Sequence, residues 1–457
     1  MPLVTPSRRR LLQLAGATAF APGLTGMKRA DVLGRVLAVS DMHSAYERTA
    51  QLLAAFETEV RSNPVPHVIA IDGDIFEHGN VVAVRSGGLV DWAFLAALPA
   101  IAPTVFNLGN HDNDLTPDLA QVVARMKSLG VHVVSTIGDT RTGAGYADPS
   151  TTLPFGRRSL RVVGMATNSL TTYPKVSRDQ LSIPAAADWA SANLADNLAG
   201  ADLVMVMSHA GVAADRDILP LLPDGSLMIG GHNHLLFQHR QGRSAYVHTG
   251  AWTAAYTAAE FLSDGSVTAR SRTVALDDPA SPALADLIAA TLAAELTEEE
   301  RTVLGTSPRT LSLGDTGRRV AAGLAQAAGA DVGFIGHTTL GTGVPAGPVS
   351  RYLFDSIVRF DGKLMVATVS RAQFDGFMAR ANQDRPMPLA DRSGDFLYGS
   401  GAAPKADPVR IVTTDWCATN QAEYFGTTDL SFEEATGLTV KTTAAAVLLQ
   451  GAAEPPA

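Results

Sequence analysis

Cysteine is almost missing from this chain of 457 residues, in which Cys417 stands alone. One thiol excludes any intrachain disulfide and any thiolate cluster around zinc, so a bound metal must be held by oxygen and nitrogen. Cys417 also has no recognised activating neighbour, and reads as structural. Basic residues are outnumbered, 36 Lys and Arg against 45 Asp and Glu, for a net charge of −9. A chain of that sign has no basic face to neutralise a phosphate backbone, which argues against a nucleic-acid polymer as the main partner. A small anion remains open as a ligand if metal ions supply the local positive charge. Long apolar runs are also lacking: no segment after the first thirty residues has the length and composition of a transmembrane anchor. What is present, 46% hydrophobic and 18% charged residues, is the composition of a folded globular protein, too long for one ordinary core and suited to two domains.

The first thirty residues set an expected compartment. Ser7-Arg8-Arg9-Arg10-Leu11-Leu12 is followed by a short stretch of apolar and small residues from Leu14 to Leu24, broken by Gly and Pro. A charged start, a short apolar run and an Ala-rich end form the profile of a cleaved export signal. Arg8-Arg9 resembles the twin-arginine pattern, which implies the twin-arginine export machinery as a partner and a periplasmic location for residues that follow 1–30.

From Arg35 onward, short apolar runs that end in polar residues alternate with helical patterns. Strands are predicted at Val36–Val39, His67–Ile71, Val105–Leu108, Val131–Val134, Leu160–Met165, Leu203–Met207, Leu227–Ile229 and Tyr246–Thr249, with a hairpin around Ser263–Ser266. This is an α/β layered rhythm, and it closes a first domain over 33–276. Ser281-Pro282 can open a helix whose Leu284, Leu287, Ile288 and Leu292 share one face, read here as an interdomain linker over 277–302. A linker of that kind suits a monomer with a mobile second domain. The second domain, 303–450, is predicted to carry a helix near Arg318–Ala327 and strands at Val332–Ile335, Leu364–Val369 and Arg410–Thr413.

Five strand ends in the first domain run into polar clusters: Asp41-x-His43, Gly73-Asp74, Gly109-Asn110-His111-Asp112, Ser208-His209 and Gly231-His232-Asn233-His234. Residues just past the carboxyl ends of strands in an α/β sheet converge on one crevice, so these dispersed positions can form a single site. Carboxylate and amide oxygens and neutral imidazoles are the donors that hard and borderline divalent ions prefer. Two such ions about 3.5–4 Å apart can activate a shared water as hydroxide and clamp a phosphoryl group during in-line displacement. Manganese, zinc, cobalt and iron all tolerate this donor set.

In these motifs, D-x-H, GD, GNHD, H and GHxH, and in the stretch Tyr246–Trp252 that follows them, the chain resembles the calcineurin-like metallophosphoesterase superfamily and, within it, the two-domain 5′-nucleotidase family. The resemblance implies a four-layer αββα sandwich domain followed by a smaller α/β substrate domain. It implies that Asp41, His43 and His234 bind one metal, that Asn110, His209 and His232 bind the other, and that Asp74 bridges them. It further implies that His111 acts on the substrate, with Asp114 as its orienting carboxylate and Asp112 as a competitor for that place. The activity implied is hydrolysis of a small phosphomonoester, a nucleotide or a related compound, by metal-activated hydroxide. Two alternatives use the same fold: a phosphodiesterase or sugar-nucleotide hydrolase, or a thiosulfohydrolase-like enzyme, with the same metals, and a non-catalytic ligand-binding protein. His67, His78, His239 and His248 lie near the motifs without matching a ligand position, and read as structural.

The second domain departs from the family pattern. The loop Gly336-His337-Thr338-Thr339-Leu340-Gly341 lacks the arginine of the family's Asn-Gly-Gly-x-x-Arg loop, and Ala422 stands where the family has an Asp for ribose hydroxyls. Each lost charged hydrogen bond costs about 1.5–3 kcal/mol, so an ordinary nucleoside monophosphate is expected to bind poorly. Trp416 and Tyr398 are candidates to sandwich a flat ring, and His337 and Arg359 are candidate replacements for the missing polar contacts.

Overall fold

A computed structural model describes residues 30–401, 404 and 406–452. The expected export signal lies, apart from Ala30, outside the described residues. Among the described residues no helix is long and apolar enough to cross a membrane.

The apolar runs form two six-stranded sheets. The first is ordered Val267–Thr273, Ala255–Leu262, Val32–Ser40, His67–Asp72, Thr104–Asn107, His132–Val134. The second is ordered Leu236–Gln241, Ser244–Thr249, Leu227–Gly230, Leu203–His209, Arg158–Ala166, Ser150–Phe155. Successive side chains on a strand point to opposite faces, and the clusters divide accordingly. Val36, Ala38, Val68, Ala70 and Val105 meet Val162, Met205, Met207 and Ile229 in the core between the sheets. Leu37, Val39, Ile69, Ile71 and Phe106 instead face helices. Burial on both faces is why these strands read as unbroken apolar runs without alternation.

The helices on the first sheet are Thr49–Ser62, Leu89–Ala97 and Leu119–Ser128. Leu119–Ser128 begins where the Asp118 side chain accepts from the Ala120 amide at 3.2 Å, and it buries Val122, Val123 and Met126. Ala186–Leu198 covers the second sheet with Ala190 and Leu194 beside Val163 and Val206, which completes four layers. The helix Pro282–Glu295 forms within the segment read as a linker. Its Leu284 and Ile288 are buried in the same cluster as the helices of the first sheet, because the apolar face that suggested a helix is a docking face.

The second half of the chain builds a five-stranded sheet ordered Leu397–Gly399, Val332–Gly336, Val409–Thr414, Lys363–Val369, Glu433–Thr439. The helices Leu313–Ala327 and Val440–Leu448 place Val320, Leu324 and Ala444 in an apolar cluster that continues into Val206, Met228 and Tyr246 of the second sheet. From Val32 onward the described chain forms one compact unit.

Candidate metal centre and substrate cavity

Parallel register brings the polar clusters together. Ser40 pairs with Asp72 and Asp72 with Asn107, so Asp41, Asp74 and Asn110 leave the first sheet at one edge. Ser208 pairs with Gly230, which delivers His209 and the turn Gly231–His234 at the matching edge of the second sheet. The backbone there is unusual: Asp41, His43, Ser44, Asp74, His232 and His234 all have φ between 48° and 74°. Non-glycine residues rarely adopt this left-handed region, and such strain collects at functional sites. Gly109 has no room for a side chain, since a Cβ there would lie 2.3 Å from Asp74 Oδ1 and 2.9 Å from His209 Nε2.

The seven residues with metal-ligand chemistry converge. Asp74 Oδ2 lies 3.0 Å from His209 Nε2 and 3.9 Å from His43 Nε2, between the two halves of the cluster. Asp41 Oδ1 is 3.7 Å from His234 Nε2, and His43 Nε2 is 2.9 Å from His234 Nε2. Each of Asp41, His43 and His234 offers a ligand atom within 4.8 Å of the others, and Asp41, Asp74 and His209 form a second such group. Asn110 Oδ1 meets His232 Nδ1 at 2.8 Å, and the Asn110 amide nitrogen donates one N–H to the Thr172 carbonyl at 3.3 Å.

These residues fit a pair of cations. The His209 Nδ1–H donates to the Asp72 carbonyl at 2.6 Å, which leaves the Nε2 lone pair facing the Asp74 carboxylate. Two electron-rich atoms held that close call for a proton or a cation between them. Asp41 Oδ2 and His209 Nε2 are buried without a hydrogen-bond partner. Burial holds His43 down at about 4 and His232 at about 3, and it pushes His234 well below the ordinary value, so all three are neutral and have lone pairs to give. Burial opposes charge on His209 as well, but Asp74 and Asp41 outweigh it and push the ring up. Burial raises Asp41 to about 7. The field that draws a proton onto this cluster also draws a divalent ion.

Beside it, His111 Nδ1 is 2.8 Å from Asp114 Oδ2, while the His111 backbone N–H donates to Asp74 Oδ1 at 2.7 Å. Burial disfavours the imidazolium, yet Asp114 and Asp74 prevail and push it up to about 10. Asp112 does not compete for the ring: its carboxylate accepts from the backbone amides of Gly109 at 2.6 Å, Ile75 at 3.0 Å and Asp74 at 3.2 Å.

A cavity of about 660 Å³ opens from the cluster toward the second half of the chain. Trp416 and Arg359 line it. Tyr398 does not: it is buried in the core against Gly317 and Phe396, so its ring cannot sandwich a ligand with Trp416. His337 is buried too, because both its nitrogens are used in the fold. Nδ1 accepts from the Phe396 amide at 3.1 Å and Nε2 donates to the Asn233 carbonyl at 2.8 Å. His248 is likewise structural, packed under the second sheet with Tyr246 and Asp215.

The sequence reading missed three carboxylates here. Glu77 is buried, lies 3.3 Å from His43 Nδ1 and forms an ion pair with Arg359. Its signal was the apolar Ile75-Phe76 that precedes it, which marks the loop as buried. Asp395 and Glu423 also line the cavity, and no local pattern marks either.

Residues 34–236 match the family model of calcineurin-like phosphoesterases. A search of curated protein sequences gave no significant match. The fold is similar to that of a 5′-nucleotidase precursor from Thermus thermophilus, with TM-score 0.59 and 16% identity over 92% of this chain and 98% of that one. It is also similar to the sulfate thiohydrolase SoxB of Thermus thermophilus, solved with glycerol, with TM-score 0.62 and 14% identity over 93% and 96% of the two chains. A 5′-nucleotidase from Candida albicans aligns at TM-score 0.58 and 11% identity over 91% and 98%. Residues 34–236 thus match a calcineurin-like phosphoesterase domain, and the chain as a whole has a fold similar to that of the 5′-nucleotidases.

Proposed function

We propose that the chain is a periplasmic phosphohydrolase, exported by the twin-arginine route, that removes phosphate from a small phosphomonoester. Residues 33–276 supply the catalytic domain, 277–302 the connecting helix and 303–450 the substrate domain. The observation that carries the reading is the convergence of Asp41, His43, Asp74, Asn110, His209, His232 and His234 at the mouth of a cavity about 660 Å³ in volume. Asp41, His43 and His234 would hold one divalent ion and Asn110, His209 and His232 the other, with Asp74 shared between them. Bound there, two divalent ions supply Lewis acidity toward phosphoryl oxygens and toward water.

The chain's own residues supply the rest. Charge accumulating on the phosphoryl oxygens is met by the Asn110 amide and by the His111 imidazolium, which Asp114 orients through Nδ1 at 2.8 Å. The opposite ring nitrogen is then free to donate to an oxygen of the substrate, and it can pass its proton to the leaving alkoxide, a role it shares with solvent. Trp416 and Arg359 face the leaving group.

The test pairs metal analysis with phosphate release. Asp74→Asn should lower retained metal and cut turnover by at least about a hundredfold, since even outer partners of metal ligands are worth about 10–100-fold. Wild-type turnover in that variant overturns the assignment. Nitrophenyl mono- and diesters and a thiosulfonate, run side by side, separate the monoesterase from the diesterase and thiosulfohydrolase readings. Full metal loading with no hydrolysis of any of them favours a binding protein.

A further inference from the structure

The charge of the cavity wall contributed by the second half of the chain bears on the leaving group, within the phosphohydrolase reading above. That wall is formed by Asp361, Asp395, Asp415 and Glu423, with Trp416 and Tyr424 among them. Among the described residues, Arg359 is the only Lys or Arg that lines the cavity. Its guanidinium is already committed, to Glu77 in an ion pair and to the Thr338 carbonyl at 3.2 Å. Asp361 and Asp415 accept from neighbouring backbone amides, of Gly362 and Trp416, at 2.9 Å each. The basic group that interacts with Asp415 is Lys363, which does not line the cavity.

Asp395 and Glu423 differ, because they are hydrogen-bonded to each other. Two carboxyl groups in that contact share one proton and keep one negative charge between them. Asp395 also accepts from the Asn233 amide at 3.2 Å, which ties the pair to the turn that carries His232 and His234. Asp395 is half-buried and Glu423 exposed, and the pair faces the cavity with no Lys or Arg other than Arg359 among the described residues that line it.

The aromatic residues point the same way. Trp416 is 52% exposed and Phe360 48% exposed, large apolar rings left uncovered at the cavity. The Trp416 indole N–H donates to Tyr424 Oη at 3.3 Å, so the ring is held in place beside the residue that follows Glu423. An aromatic face and a carboxylate both attract positive charge, and the two together form the environment in which ammonium groups are recognised. The same wall repels an anion, so a leaving group with a second phosphate would meet like charge where it most needs a cation.

We propose that the alcohol released by this enzyme bears an ammonium group, so that the substrate is a small amino-alcohol phosphomonoester bound with its phosphate at the metal-ligand cluster and its cationic end against Trp416, Asp395 and Glu423. A neutral polyol ester would lack the attraction, and a nucleoside diphosphate would be rejected.

The experiment measures kcat/KM of the metal-loaded wild-type enzyme for ethanolamine phosphate, choline phosphate, glycerol phosphate, a nucleoside monophosphate and nitrophenyl phosphate. Either amine ester should exceed glycerol phosphate at least tenfold. Asp395→Asn and Glu423→Gln should each reduce that ratio tenfold or more, mainly through KM for the amine ester. Because the ratio is taken within one preparation, a loss of folded protein cancels from it. Turnover of nitrophenyl phosphate with no amine preference, or a ratio unchanged in both variants, overturns the inference alone. No turnover of any ester overturns the phosphohydrolase reading together with it.

Discussion

Replacing Arg359 with methionine keeps an unbranched stem against Trp252 and removes the charge that the second half of the chain inserts beside the metal ligands. The side chains of Glu77 and Arg359 are 8% and 6% exposed, so the pair is nearly free of water. Removing one member of a buried ion pair strands the other, at about 3–5 kcal/mol. His43 Nδ1, 3.3 Å from Glu77, offers the stranded carboxylate some relief and argues for the lower end. The guanidinium also lies 4.4 Å from the Trp252 ring centre and 4.7 Å from that of Phe360, contacts worth about 0.5–1 kcal/mol each that methionine only partly replaces. The expected loss is therefore about 3–4 kcal/mol.

Glu77→Gln in the same background removes the stranded charge and should recover about 2 kcal/mol, so the loss in the double variant is far from the sum of the single ones. Urea unfolding of the metal-free proteins reads the cycle. The pH dependence has a definite sign. Burial opposes ionisation of Glu77, but Arg359 and His43 prevail and hold it well below its ordinary 4.5. Stability from the pair is thus complete above pH 4.5 and is lost as pH falls through the folded value, so the deficit of Arg359→Met should be full at neutral pH and shrink in acid. A loss below about 1 kcal/mol in the single variant, or additivity in the cycle, would refute the reasoning.

Asp91 makes a contrasting case, buried beneath Tyr46 and raised by burial to about 7 from 3.8. The folded state binds the extra proton between those values, so stability falls as pH rises from about 4 to about 7, and Asp91→Asn should melt above the wild type at pH 8 by up to about 4 kcal/mol of stability and match it near pH 4; parallel melting curves at both pH values would exclude this. His111→Ala should lower kcat by about 10²–10⁴ with metal content retained, and Asp114→Asn should move the alkaline limb of the rate profile to lower pH, because Asp114 helps to push His111 up to about 10. Chelation should abolish phosphate release and lower the melting temperature, since each ion at a hundred times its Kd contributes about 2.7 kcal/mol, and an unchanged melting temperature would count against a metal site among these residues.

Much of the first half was legible because its chemistry is local. Each proposed ligand follows an apolar strand within a few residues, and parallel pairing then has little freedom in where the strand ends fall: Ser40 against Asp72, Asp72 against Asn107, Ser208 against Gly230. The second half was less legible because its contributions depend on distant partners. Arg359 finds Glu77 across 282 positions and His337 finds the Asn233 carbonyl across 104. Tyr398 sits in a short strand that looked available, but Gly317 on the helix Leu313–Ala327 lets its ring press against helix backbone in the core. Amphipathic spacing in Pro282–Glu295 identified the helix and its apolar face, but not the partner of that face, which is a matter of tertiary packing.

Those distant partners join two tasks that the sequence kept apart. Three contacts from the second half end on loops of the ligand cluster: Arg359 on Glu77 beside His43, His337 on the Asn233 carbonyl, and Asp395 on the Asn233 amide. The residues flanking Asn233, His232 and His234, have φ of 74° and 53°, a conformation that costs of order 1–3 kcal/mol each unless surrounding structure enforces it. The contacts from His337 and Asp395 provide that enforcement, so the segment that lines the cavity also holds the ligands in register. A change made to alter the choice of leaving group at Asp395 therefore acts on the metal-ligand turn directly, through Asn233, whereas one at Glu423 reaches that turn at second hand, through Asp395 and His337. The difference in metal retention between Asp395→Asn and Glu423→Gln thus measures how strongly substrate choice and metal positioning are mechanically joined.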